Sequence, residues 1–137
     1  MITKQELCHM ALEARKKAYS PYSHFKVGAA ILAKNGQVFT GCNIENAAYT
    51  PSNCAERTAV FKAVSEGVTQ FAMLAVVGGK GDAETLPIAA PCGVCRQVLN
   101  EFCELEMPVL LVKGENDYME TTLGELLPMG FGPKDLA

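Results

Sequence analysis

Three cysteines and one glutamate stand at spacings that suit metal-assisted proton transfer. Cys54 and Glu56 lie in Pro51-Ser52-Asn53-Cys54-Ala55-Glu56-Arg57, and Cys92 and Cys95 in Pro91-Cys92-Gly93-Val94-Cys95-Arg96. Both stretches read as helix starts. Residues three apart share a helix face, and side chains lean toward the helix N-terminus. Both thiolates of the second stretch can therefore point past the helix end at one ion. Cys54 and Glu56 are two apart and would diverge in mid-helix. In a first turn both can reach the space ahead of the helix. Three protein ligands leave one position open for water, the catalytic zinc pattern rather than the closed structural one. Neither motif has a fourth Cys or His beside it. His9, in the first helix, and His24, before the first strand, read as ordinary surface or half-buried histidines.

Three thiolates around Zn²⁺ leave one net negative charge, which opposes loss of a proton from bound water. Helix N-termini favour thiolate. Arg57 adjoins the cluster and can donate to a cysteine sulfur. Arg96 is a second candidate for that role, though a solvated surface charge is its simpler reading. Glu56 has a task if an ion is present. It takes a proton from the metal-bound water and passes it to a substrate ring nitrogen, hydroxide attacks an amidine-like carbon, and Glu56 then protonates leaving ammonia. Alone, it would read as a carboxylate favoured by the helix dipole.

The rest of the chain must position these residues. Thr3-Lys4-Gln5-Glu6 is a capping box, and Leu7, Met10, Ala11, Ala14 and Ala18 follow at helical spacing. A helix is expected from about Gln5 to Ala18. Phe25 to Ala33 reads as a strand buried on both faces. Asn35-Gly36 is a hairpin signal, and Gln37 to Cys42 is the return strand. Asn43 to Asn53 is a polar loop. A helix follows from about Cys54 to Ser65, capped by Ser52 or Asn53 and stopped at Gly67. Phe71 to Val77 is a third strand, and Gly78 to Ala90 a glycine-rich connection that reads as a flexible surface loop. Gly78-Gly79-Lys80-Gly81-Asp82 lacks the spacing and the Ser or Thr of a phosphate loop. A helix over Gly93 to Cys103, a strand over Pro108 to Val112 and an antiparallel return over Tyr118 to Thr121 complete the sheet. Thr122 caps a short last helix that Pro128 stops. Helices alternating with buried strands predict an α/β fold, a mixed sheet covered on both faces.

Composition narrows the function. The 137 residues suit one domain over 1–137. Their 49% apolar and 20% charged content is ordinary for a globular chain. The net charge of −3 and the lack of a long Lys/Arg run give no nucleic-acid footprint. No apolar stretch has the length of a membrane span, and residues 1–6 lack the apolar segment of a secretory leader. A cytoplasmic protein is expected, with cysteines free or metal-bound. Cys8, Cys42 and Cys103 read as small core hydrophobes, and the six methionines as core filler.

The two stretches match the zinc nucleobase-deaminase signature in its three-cysteine form, and the chain resembles the small, homotetrameric, zinc-dependent cytidine deaminases. Cys54-Ala55-Glu56-Arg57 and Pro91-Cys92-Gly93-Val94-Cys95 carry the likeness. Phe25-Lys26-Val27-Gly28-Ala29-Ala30, Gly41 to Tyr49 and Leu126-Leu127-Pro128 with Phe131 support it. The resemblance implies a three-layer α/β/α fold with a five-stranded mixed sheet and one zinc per subunit. It implies hydrolysis of cytidine and 2′-deoxycytidine, as in pyrimidine salvage. Asn43 and Glu45 would hold the ribose 3′-hydroxyl, and both can accept a hydrogen bond from it. Phe25 would pack on the pyrimidine, unless it is a core aromatic. The backbone N–H of Ala55, a free donor at a helix start, would bind the pyrimidine carbonyl. Tyr49 and Phe131 would reach a neighbouring subunit's active site, unless they are ordinary core or interface residues.

Two other readings stay open. One is a related deaminase acting on another aminonucleoside, such as an antibiotic, or on a base in RNA. The acidic balance and the Asn43–Glu45 pair argue for a free nucleoside instead, since a phosphate would meet carboxylate repulsion. The other is a non-catalytic zinc module, which would need a fourth ligand and a dispensable Glu56.

Overall fold

The computed structural model describes residues 1–83 and 85–137. Its elements are α1 (Lys4–Arg15), β1 (Phe25–Ala33), β2 (Val38–Cys42), α2 (Ala55–Ser65), β3 (Phe71–Lys80), α3 (Gly93–Phe102), β4 (Pro108–Gly114), β5 (Asp117–Thr122), α4 (Leu123–Leu126) and α5 (Pro133–Leu136). The strands form one mixed sheet in the order β2-β1-β3-β4-β5. β3 and β4 pair in parallel, and the other neighbours are antiparallel. The expected three-layer α/β/α architecture with five strands is the one observed.

Strand alternation explains the layers. In β1, Ala29, Ile31 and Ala33 face one core and Ala30 and Leu32 the other. In β3 and β4, Leu74, Val76, Val109 and Leu111 join the first, and Ala75, Val77, Leu110 and Val112 the second. Central strands thus bury both faces, which is why they read as continuous apolar runs. α1 covers one face with Leu7, Cys8 and Ala11. α2 and α3 cover the other with Ala59, Val60, Ala63 and Leu99. Two glycines let helices lie against the sheet. A Cβ on Gly28 would stand 2.1 Å from the Ala11 carbonyl oxygen, and one on Gly41 2.5 Å from that of Ala55.

Strand direction brings the site together. β1 runs opposite to both β2 and β3, so β2 and β3 end at the same edge of the sheet where β1 begins. α2 and α3 therefore both start at that edge. Ligands in open α/β sheets commonly bind at such carboxyl ends.

Several expectations need correction. α1 is capped as expected by Thr3 and Glu6, but it ends at Arg15, three residues early. Neither Ser52 nor Asn53 caps α2. Cys54 is the N-cap residue, and its sulfur makes no cap bond. The Ser52 hydroxyl instead accepts from the Asn46 N–H, and the Asn53 amide donates to Thr58. β3 runs on to Lys80, so Gly78 and Gly79 are strand, not surface loop. A Cβ on Gly78 would press within 3.0 Å of the Phe25 ring, and one on Gly79 within 2.7 Å of Leu86. The glycines are there because side chains pack onto the strand. Glu84, within the expected Gly78–Ala90 connection, lies outside the described residues. α4 is not the last helix, since α5 follows it, started by Gly132 N–H donating to Asp135 Oδ2. The methionines are not all core: Met107 is buried, whereas Met1, Met119 and Met129 are exposed. Cys8 and Cys103 are buried as expected, but Cys42 is only half-buried. Among the described residues no helix is long and apolar enough to cross a membrane.

Candidate active site

Cys54 and Cys92 hold the N-cap positions of α2 and α3, with no side-chain cap bond at either. A serine or aspartate there would turn its oxygen back to the helix. Cysteine leaves its sulfur free to face outward. Cys95 lies on the first turn of α3 and is fully buried. The three sulfurs lie within 4.8 Å of one another, and Cys54 Sγ and Cys92 Sγ are 3.7 Å apart. Zn–S bonds of about 2.3 Å at a tetrahedral angle would put sulfurs about 3.8 Å apart. The donor set therefore fits one zinc. Among the described residues it is the one such cluster. His9 pairs with Glu115 instead, and His24 lies in a left-handed turn at φ 60°.

Arg57 Nη2 donates to Cys54 Sγ at 3.3 Å. Its Nε–H is buried without a partner among the described residues. Arg96 reaches no sulfur and is not the solvated charge expected. It donates to the carbonyls of Pro91 and Leu126, each at 2.6 Å, and so ties the Cys92 turn to the end of α4. The Cys54 thiol is pushed down to about 5 by the hydrogen bond from Cys95 and, against burial, by Arg57 and Cys92. Cys95 is pushed up by the same bond, followed by burial. Burial lifts the unrelated thiols of Cys8 and Cys103 to about 11 and about 12, which keeps them unreactive.

Glu56 is 4% exposed. Burial pushes its carboxyl up to about 7, with its own backbone N–H pulling the other way and the Cys54 charge adding to the rise. A carboxyl poised there can both take and give a proton near neutrality.

A cavity of about 420 Å³ joins these groups to the β1 start and the loop after β2. Phe25, Asn43, Glu45, Tyr49, Cys54, Glu56, Arg57 and Cys92 all line it. Phe25 is thus a cavity wall, not a core aromatic. Ala55 is buried at the first turn of α2, and Phe131 does not line this cavity but a separate one near the C-terminus. Sequence reasoning missed Val27, Val76, Asn53, Ala89 and Ala90. The Ala-Ala-Pro run just before Cys92 is the signal that could have found the last two. A larger cavity of about 620 Å³ opens near His24 and Lys26. It holds neither the thiols nor the buried carboxyl, so the smaller one is the candidate site.

The polar loop is rigidly built. Glu45 Oε1 accepts from the N–H groups of Tyr22 and Ser23 at 3.0 and 3.1 Å, and Oε2 from the Ser23 hydroxyl. A carboxylate offers about four acceptor directions, so one remains. Asn43 Oδ1 accepts from Val27 N–H and its Nδ2 donates to the Phe25 carbonyl, each at 2.8 Å. It keeps one donor and one acceptor direction free.

Residues 1–111 match the family model described as "Cytidine and deoxycytidylate deaminase zinc-binding region". The chain is 52% identical over 133 residues to a cytidine deaminase of Sporosarcina psychrophila, covering 97% of this chain and 94% of that one. Its fold is similar to the crystal structure of cytidine deaminase from Burkholderia pseudomallei, with a TM-score of 0.85 and 46% identity over 95% of this chain and 100% of that one. A more distant relative, 29% identical over 92% of this chain and 90% of its own, is a blasticidin-S deaminase of Bacillus cereus.

Proposed function

This chain belongs to the cytidine and deoxycytidylate deaminase zinc-binding family, and from that premise we propose that it hydrolyses cytidine and 2′-deoxycytidine to uridine and 2′-deoxyuridine with release of ammonia, as a cytoplasmic enzyme of pyrimidine salvage. The observation that carries the reading is the convergence, in one cavity, of a buried carboxyl, a three-thiol donor set and a polar loop with acceptor capacity left over.

Cys54, Cys92 and Cys95 would hold one zinc, which supplies a Lewis acid that eases loss of a proton from water. Arg57 donates to Cys54 Sγ and would offset part of the thiolate charge that otherwise opposes loss of that proton. Glu56 takes one proton from the water and passes it to the pyrimidine ring nitrogen as the water oxygen bonds to the amine-bearing carbon. It then moves the remaining proton of that added hydroxyl to the amine, and the carbon–nitrogen bond breaks to release ammonia and leave the carbonyl. Its burial supports this, because a carboxyl near pH 7 holds and releases a proton at similar cost. The Ala55 N–H, a free first-turn donor of α2, orients the pyrimidine carbonyl. Phe25 packs on the ring, with Val27, Ala89 and Ala90 as further apolar walls of the cavity. Glu45 accepts the one proton of the 3′-hydroxyl through its remaining lone pair, and Asn43 donates its free Nδ2–H to the hydroxyl oxygen. A 3′-phosphate would meet the Glu45 charge, which favours free nucleosides over polynucleotides. Tyr49 and Phe131 are exposed, at 94% and 59%, which fits contact with a neighbouring subunit in a homotetramer.

The test is the ultraviolet band of cytidine on addition of the purified, zinc-loaded protein. The band should decay to that of uridine, for deoxycytidine as well. A protein that leaves both untouched and deaminates blasticidin S would move the substrate to an aminonucleoside antibiotic.

A further inference from the structure

Thr58 makes contacts that the proposed chemistry does not use. A threonine in a helix often returns its hydroxyl to the carbonyl four residues back, and Thr58 Oγ1 lies 3.1 Å from the Cys54 carbonyl. Its other two partners lie outside that habit. The carbonyl of Cys42, at the end of β2, is also 3.1 Å away. Asn53 Nδ2 donates to the same oxygen at 3.1 Å. One hydroxyl has one proton, so the two carbonyls share it while a lone pair takes the Asn53 amide. Asn53 in turn pairs with Ile44 through its backbone in both directions, at 2.9 Å each. Ile44 stands between Asn43 and Glu45. The packing leaves little slack, since a Cβ on Gly41 would stand 2.9 Å from Thr58 Cβ. The Thr58 hydroxyl thus joins the end of β2, the turn that follows it and the residue that bears the first sulfur.

We propose that Thr58 is a positioning residue that holds the sugar-binding turn Asn43–Glu45 in register with the metal-bearing start of α2. The proposal rests on the reading that this turn accepts the 3′-hydroxyl. Base and sugar of a nucleoside are covalently joined. They can engage α2 and the turn together only if the spacing of the two is fixed. A small displacement therefore weakens recognition of the sugar without removing a reacting group.

The experiment compares Thr58→Val, which keeps shape and loses the hydroxyl, with Thr58→Ser, which keeps the hydroxyl. Cytidine and 3′-deoxycytidine are assayed side by side, and binding of uridine and 3′-deoxyuridine is measured by calorimetry. Zinc content is checked for each protein. The wild type should favour the 3′-hydroxyl by about tenfold or more in both readouts. In Thr58→Val that preference should shrink severalfold and KM for cytidine rise about tenfold, with kcat less affected and zinc retained. Thr58→Ser should behave as the wild type. If Thr58→Val does not fold, Thr58→Ala, which also lacks the hydroxyl but puts no second methyl against the two carbonyls, must show the same loss of preference. A preference unchanged in the folded variant, even with a lower melting temperature, overturns the proposal. A wild type with no preference overturns the sugar contact itself, and the role of Thr58 with it.

Discussion

Glu45 shows how one carboxylate can build a loop and keep capacity for a ligand. The Ser23 hydroxyl, against desolvation and with the N–H groups of Ser23 and Tyr22, holds its carboxyl below the usual range. The unfolded chain titrates near about 4.3. The folded state therefore releases this proton at lower pH than the unfolded one. The stabilisation is present above the unfolded value and is lost as pH falls through the folded value. Glu45→Gln lacks the titration. The stability gap between wild type and Glu45→Gln, read from urea midpoints, should be open at about pH 6 and narrow steadily as pH falls below about 4. A gap independent of pH would contradict the hydrogen-bond pattern. The same substitution should raise KM for cytidine about tenfold or more, the effect of a lost bond to a charged group.

At the scale of elements, two helices meet the sheet over glycine. A methyl group on Gly28 would strike backbone of α1 at Ala11 and Arg15, at 2.1 and 2.4 Å. Backbone in a packed layer cannot swing aside as a side chain does. Gly28→Ala should cost about 3 kcal/mol and lower the melting temperature by about 10 °C. Thermal unfolding followed by circular dichroism checks this, and an unchanged midpoint would mean that α1 does not rest on β1. Most elements were legible because their apolar period, capping box or hairpin turn is local. β1 matches its expected span of Phe25 to Ala33 residue for residue. What was not legible depended on contacts between distant residues. Gly78 and Gly79 look like loop residues until Phe25 and Leu86 are packed on them. Ser52 and Asn53 look like caps until their side chains find Asn46 and Thr58. The three sulfurs and Glu56 were legible for a different reason. Metal ligation and proton transfer need fixed residue types at fixed offsets, whatever the packing around them. Ala89 and Ala90 carry no such chemistry, and only the fold brings them to the cavity.

For the molecule as a whole, both cores share the central strands of one sheet, so we propose that residues 1–137 unfold as one domain in a single cooperative step. The homotetramer proposed above would cover Tyr49, Met129 and Phe131, all exposed in the single chain. Sedimentation should then give a mass about four times 14.7 kDa, and a monomer mass at assay concentration would remove the inter-subunit role of Tyr49 and Phe131. At the end of the sheet where α2 and α3 begin, we propose that three thiols hold a metal and one buried carboxyl moves the proton. The most direct test is the rate of cytidine loss with Glu56→Gln at a zinc content matched to the wild type. The variant should keep its zinc and lose about a thousandfold in turnover. Turnover within about threefold of the wild type, against that expected loss, would show that the proton travels by another group.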